Sequence, residues 1–214
     1  MKPIVLGTNN KDKLRELQSL LKGAKIRVRS LADFSACREA SEDGRTFEAN
    51  ARKKARLYSG CTKSLVLADD SGLMVHALNG RPGVYSARYA DEERSAEKNI
   101  AKVLSEMKNI KHRIAYFKTI ISLIINHKEY LFEGKVQGTI STEIKGKKGF
   151  GYDPIFIPLL PSPQDNRAGS EGWERSSGLG MRSFAEMTLE EKNKISHRAI
   201  AVNKLAEFLN SLNK

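Results

Sequence analysis

Short apolar runs alternate with amphipathic stretches through the first half of the chain. Residues 3–7 read as a strand, followed by a polar loop and a helix over about 11–22 with Leu14, Leu17 and Leu21 as its stripe. Residues 25–29 form a second short strand. A helix over about 46–59 puts Phe47, Ala51, Ala55 and Tyr58 on one face. Asn50 and Lys54, one turn apart, project together from an adjacent face. A buried strand over 64–69 follows, and it ends at two adjacent carboxylates, Asp69 and Asp70.

The second half changes rhythm. After a loop at 79–83 and a helix over 95–107, residues 113–125 and 129–141 read as a hairpin turning at Asn126-His127-Lys128. Tyr130, Phe132, Val136 and Ile140 share one parity, as a half-buried strand requires. A glycine-rich basic loop spans 145–151. The last helix covers about 189–212, with Ala201, Leu205, Phe208 and Leu212 on one face. Alternating strands and helices followed by a hairpin predict an α/β fold with a mixed sheet. The stretch 161–182 lacks Ile, Val, Phe and Tyr and is rich in Gly and Ser, so it reads as a mobile insertion.

Composition narrows the classes. Hydrophobic residues make up 40% and charged residues 29% of the 214, a globular balance. The longest apolar-rich run, 114–125, contains Lys118 and is too short to cross a bilayer as a helix. The start of the chain carries no signal-peptide pattern, and two cysteines, Cys37 and Cys61, make neither a disulfide framework nor a Cys-rich zinc site. A reducing cytoplasm is the expected setting. The net charge of +12 fits a polyanion-binding module, and fits equally the steering of a phosphorylated small molecule into a cleft. The basic residues are dispersed, aromatics are only 7%, and no zinc-finger or aromatic RNA-binding signature is present. Specific nucleic-acid recognition is therefore not expected.

Five segments carry candidate chemistry. Asp69-Asp70-Ser71-Gly72 suits a hard divalent cation at the carboxyl end of a strand, and suits equally a solvated turn. Thr8-Asn9-Asn10-Lys11-Asp12-Lys13 lies between strand and helix, where backbone N–H groups and side chains can hold phosphates or simply cap the helix. Glu42-Asp43 offers a further oxygen ligand from a polar loop. Gly149-Phe150-Gly151-Tyr152-Asp153-Pro154 combines flexible backbone with aromatic faces on which a base can stack. Ser196-His197-Arg198 opens the periodic part of the last helix.

Together these segments resemble the Ham1/ITPase family of non-canonical purine nucleoside triphosphate pyrophosphatases. The resemblance runs from Val5 to about Leu209, interrupted at 161–182. It rests on Thr8-Asn9-Asn10-x-x-Lys13, Thr46-Phe47-Glu48-Ala49-Asn50-Ala51, Ala68-Asp69-Asp70-Ser71-Gly72-Leu73, Pro82 to Tyr89, Gly149 to Pro154, and Glu191-Lys192 with Ser196-His197-Arg198. The order and co-occurrence of these modest motifs are specific.

The resemblance implies a single domain over 1–214, an elongated mixed sheet with flanking helices in two lobes around a nucleotide cleft, and a homodimer. It implies Mg2+-dependent hydrolysis of ITP, dITP and XTP to the monophosphate and pyrophosphate. Thr8, Asn9, Asn10, Lys11, Asp12 and Lys13 would form the triphosphate loop. Glu42 and Asp70 would bind metal, Asp70 would also accept the proton, and Lys54 would hold phosphate near the reacting centre. Ser71, Phe150, Gly151, Tyr152, Asp153, Lys192, His197 and Arg198 would contact substrate. Asn9 departs from the glycine usual in the family, which predicts a reshaped phosphate loop because a Cβ restricts the backbone. A pyrophosphatase for modified pyrimidine nucleotides would share the reaction but not the base pocket. Spacing alone does not divide base and ligand between Asp69 and Asp70.

Overall fold

The computed structural model describes residues 3–159 and 182–212. The expected insertion at 161–182 lies, Arg182 apart, outside the described residues. Six strands, β1 (Ile4–Leu6), β2 (Val28–Ser30), β3 (Leu65–Val75), β4 (Ile114–Ile125), β5 (Lys128–Ile140) and β6 (Phe156–Pro158), form one sheet in the order β2-β1-β3-β4-β5-β6. β1 pairs in parallel with β2 and β3, whereas β5 and β6 are antiparallel, so the sheet is mixed as expected. The helices are α1 (Lys11–Gly23), α2 (Phe47–Thr62), α3 (Ala96–Glu106), α4 (Leu189–Ile195) and α5 (His197–Ser211). No described helix is long and apolar enough to cross a membrane.

The chain divides into two compact units, one comprising Met1–Ser71, Lys118–Lys135 and Ser196–Lys214, the other Gly72–Phe117 and Val136–Ile195. In the first unit the pleat sorts side chains to two faces. Ile4, Leu6 and Leu67 point with one parity into a core shared with Leu17 and Leu21 of α1 and Val202 and Leu205 of α5. Val5 and Val66, of the other parity, pack with Tyr58 of α2 and with Leu31 and Ala40. The register Ile4↔Leu65, Val5↔Val66, Leu6↔Leu67 keeps each set on its own face. The second unit has its own core, built around Phe117, Phe156, Phe184, Met107 and Ile155.

Local signals account for most element ends. Asn10 caps α1, Thr46 caps α2 and Ser95 caps α3 through side-chain oxygens that accept backbone N–H groups of the first turn. Asn126 and His127, which join β4 to β5, both have positive φ, the backbone that a tight hairpin needs. Three expectations are corrected. β3 does not end at Asp69-Asp70 but runs on to Val75. The last helix is two helices, because Ser196 caps a new one by accepting from Ala199 N. Leu212 is exposed at the end of α5, and Leu209 takes the buried place assigned to it.

Two cysteines make no framework, yet Cys37 and Cys61 form a disulfide, with their Cα atoms 5.5 Å apart. The sequence hides this pairing because the polar stretch after β2 returns along α2. That return brings residues 24 positions apart together.

Candidate active site

β3 explains how adjacent carboxylates coexist. Successive side chains of a strand point to opposite faces, so Asp69 follows Leu65 and Leu67 toward α1 and α5, while Asp70 follows Val66 toward α2. Each is buried, and each meets a separate set of cations and donors.

On the α2 face, Asn50 and Lys54 project together as helical spacing requires. Asn50 donates through Nδ2 to Asp70 Oδ2 at 3.0 Å, and its Oδ1 accepts from Gly44 N at 2.8 Å. Lys54 Nζ lies 3.0 Å from Asp70 Oδ1 and 2.9 Å from Glu42 Oε1, so one ammonium joins the two carboxylates. A Cβ at Gly44 would lie 2.5 Å from Asn50 Oδ1, so any larger residue there would push Asn50 off this contact. Burial pushes the Asp70 carboxyl above the usual carboxylate range, aided by the nearby Glu42 charge and opposed by Lys54 and Lys13. Burial of Lys54 works against its charge, but Asp70, Asp69 and Glu42 outweigh this and hold the ammonium protonated beyond the usual lysine range.

On the other face, Asp69 lies 3.2 Å from Lys13 Nζ and 3.5 Å from Arg198 Nε. Ser71 donates its hydroxyl to Asp69 Oδ2 at 2.8 Å and accepts from Arg198 Nη2 at 2.9 Å. Arg198 Nη1 also donates to Glu16 Oε2 at 2.8 Å. Burial alone would raise the Asp69 carboxyl, yet Lys13, Arg198 and Lys54 hold it far below the usual range. Asp69 is therefore a fixed counter-ion. Its Oδ1 is buried and accepts no hydrogen bond among the described residues.

The expected phosphate loop sits between β1 and α1. Asn10 Oδ1 is occupied as a helix cap, accepting from Asp12 N and Lys13 N at 3.0 Å each, and Thr8 Oγ1 accepts from Asn10 N. Asn9 is exposed and lies outside the left-handed region, so its Cβ imposes no backbone strain. Lys11 and Asp12 begin α1, and Lys13 reaches Asp69. His197, buried, is the first residue of α5 beside Arg198.

The second unit holds the remaining expected residues. Lys192 Nζ pairs with Asp153 Oδ2 at 2.5 Å and lies 5.0 Å from the Phe150 ring centroid. Asp153 Oδ2 also accepts from Phe150 N at 2.9 Å. Gly149 has φ +71° and a Cβ there would run into the Asp153 carboxylate, so glycine is needed. Gly151 also has positive φ. Tyr152 is a core residue: burial pushes its phenol well above the usual range, and its hydroxyl donates to Ser86 O at 2.9 Å.

One participant escaped sequence reasoning, and the partners of a second were hidden. Glu16 anchors Arg198, and its only signal was its place one turn after Lys13 on the same helix face. Asn50 stood out by its face, but its two ties appear only once the loop at 38–45 and β3 are in place.

The donor set can be judged for metal. Among the described residues no group of three or more His, Cys, Asp or Glu side chains could hold a metal ion. Mg2+ does not need one, since it commonly binds through one or two carboxylates with waters and substrate phosphates. Glu42 and Asp70, brought together on a single ammonium, fit that pattern.

Residues 4–208 match the model of the Ham1 family. The chain is 42% identical over 208 residues to a protein of Thermoanaerobacter sp. (strain X514) named dITP/XTP pyrophosphatase, covering 96% of each. It is also 42% identical over 212 residues to the protein of that name from Bacillus subtilis (strain 168), covering 98% of each. A HAM1 protein structure from Coxiella burnetii superposes with a TM-score of 0.80 at 38% identity, covering 99% of this chain and 100% of that one.

Proposed function

The chain belongs to the Ham1 family, and on that footing we propose that it hydrolyses ITP, dITP and XTP to the monophosphate and pyrophosphate. The observation that carries this reading is the Glu42–Lys54–Asp70 chain, buried at Lys54 and Asp70, on one face of β3, with Lys13 and Asp69 on the other. Triphosphate is a polyanion that repels any attacking oxygen, and Lys54 and Lys13 supply the charge that offsets this. Glu42 and Asp70 would hold Mg2+, which as a Lewis acid neutralises charge on the phosphate oxygens when bound.

Asp70 takes the proton from the water that attacks the α-phosphorus. The bond between that phosphorus and the bridging oxygen breaks, and pyrophosphate leaves. Asn50 and Lys54 fix the Asp70 carboxylate in place for the proton transfer. Asp69, held down by three cations, suits the role of fixed counter-ion that keeps Lys13 and Arg198 in place.

Selection of the base rests on hydrogen-bond polarity. Hypoxanthine and xanthine carry a 6-oxo acceptor where adenine carries a donor, so a donor such as Arg198 favours the former. His197, next to Arg198 at the start of α5, supplies a further polar contact. We assign the protein to the cytoplasm, where nucleotides are pooled, and expect a homodimer, which sedimentation would test. Pyrophosphate release from ITP, dITP, XTP, ATP and GTP, with Mg2+ or with a chelator, tests the whole reading. Equal turnover of ATP and ITP, or unchanged turnover in Asp70→Asn, would refute it.

A further inference from the structure

We infer that Cys37–Cys61 is a reversible thiol–disulfide site that takes electrons from a small dithiol and thereby sets how firmly Glu42 is held. The inference concerns the metal ligand assigned above and rests on that reading. Its basis is a ladder of contacts along α2. Residues 37–44 run down this helix in the opposite direction. Cys37 is bonded to Cys61, Ala40 N donates to Tyr58 Oη at 3.2 Å, Glu42 pairs with Lys54, and Gly44 N donates to Asn50. Lys53 holds Ser41 Oγ and Asp43 Oδ1 from the same helix. The partner numbers fall steadily, 61, 58, 54, 50, as those of the strap rise.

The strap has no regular secondary structure from 38 to 45, so its position depends on these rungs. The Lys53–Asp43 pair is exposed on both sides, and such pairs hold little in water. The disulfide is the one covalent rung, and it closes the end from which the strap enters. Both cysteines are half-buried rather than sealed in the core, so a small thiol can reach them. In a cytoplasm, where disulfides are reduced by thiol pools, such a bond is a variable rather than a fixture.

The exchange balances. A thiolate of the dithiol attacks one cysteine sulfur, the Cys37–Cys61 bond breaks, and the other cysteine leaves as thiolate. The second sulfur of the dithiol then displaces the first cysteine and closes its own disulfide. Two electrons pass to the cysteine pair, and the two protons of the dithiol end on the two cysteine thiols. Oxidised dithiol reverses each step.

Hydrogen exchange, thiol titration and Mn2+ binding followed by electron paramagnetic resonance test this on the full chain. Three samples are compared: oxidised protein, protein reduced with dithiothreitol, and Cys37→Ser/Cys61→Ser. Dithiothreitol should expose two titratable thiols, and amides of 38–45 should then exchange about tenfold faster as the ring constraint on local opening is lost. Mn2+ should bind several-fold more weakly to the reduced protein and to the double variant, and dithiothreitol should change nothing further in the variant. Thermal unfolding of each sample shows that it is folded. Equal exchange and equal Mn2+ affinity between oxidised and reduced protein would overturn the inference, as would two thiols that no dithiol disulfide can oxidise. Exchange and Mn2+ binding need no turnover. A loosened strap in a protein that releases no pyrophosphate would sustain this inference and overturn the proposed activity, while unchanged exchange in an active enzyme would do the reverse.

Discussion

Gly134→Ala isolates how α5 is seated on the sheet. Gly134 is buried in β5, and its φ is not positive, so backbone conformation alone would tolerate any residue. Glycine weakens a strand interior, and on that ground alanine should stabilise by about 0.5–1 kcal/mol. The space forbids it. A Cβ on Gly134 would overlap the His197 carbonyl oxygen and lie 2.7 Å from Ala201 N, both backbone atoms of α5. No rotamer change relieves such a clash, so the first turn of α5 must lift. Overpacking of this kind costs about 1–3 kcal/mol, and an overlap with backbone belongs at the upper end. For a chain of this length, about 3 kcal/mol corresponds to a fall in Tm of about 6–12 °C. Because the displaced turn carries His197 and Arg198, KM for ITP should rise as well. Gly60→Ala is the control: it is an exposed site in α2 with nothing within 4 Å of the added Cβ, and it should raise Tm slightly. A Gly134→Ala protein as stable as the parent would refute the argument that close approach, rather than strand propensity, dictates this glycine.

Asp69→Asn leaves Lys13 and Arg198 facing a neutral amide and should destabilise by about 3 kcal/mol near neutrality, read by thermal unfolding. The carboxyl is depressed in the folded state, so its stabilisation is complete above the unfolded value of about 3.9 and is lost as pH falls through the folded value. The Tm gap to the parent should therefore be widest near neutrality and close below pH of about 4, and a gap constant with pH would sink this account. Asn50→Ala removes the tie between the strap and Asp70 and should cost about 1–3 kcal/mol while raising half-saturating Mg2+ in the pyrophosphate assay. Lys54→Met should bind Mn2+ more tightly in the absence of nucleotide, because the competing ammonium is gone, yet turn over at least about a hundredfold more slowly. Weaker Mn2+ binding in that variant would contradict the counter-ion role.

Regular patterning made the fold largely legible. The Leu14-Leu17-Leu21 stripe and the hairpin parity led to elements within a few residues of those observed. Asp69-Asp70 misled because polar residues look like a strand's end when solvent is assumed to receive them. They lie mid-strand, since Lys13, Lys54 and Arg198 meet them from three helices, and those partners are far away in sequence. Ser196 misled for the opposite reason, passing for a tolerable helix residue although its hydroxyl starts a new helix. Asp69, Asp70 and Lys54 stood out in the sequence as residue types. The division of the two carboxylates between the faces of β3 did not, because it follows only once the strand continues past them to Val75.

Lys54 lying between Glu42 and Asp70 has a consequence for loading. With one ammonium shared by two carboxylates, the site's charge is largely but not fully balanced before any guest arrives. A divalent ion taking those oxygens alone would turn the ammonium out with no anion to meet it. A triphosphate alone would find two carboxylates in its way. Only the pair leaves every charge matched, with cation on carboxylate and phosphate on lysine. On the proposed reading, metal and nucleotide would enter as one salt, each raising the affinity for the other.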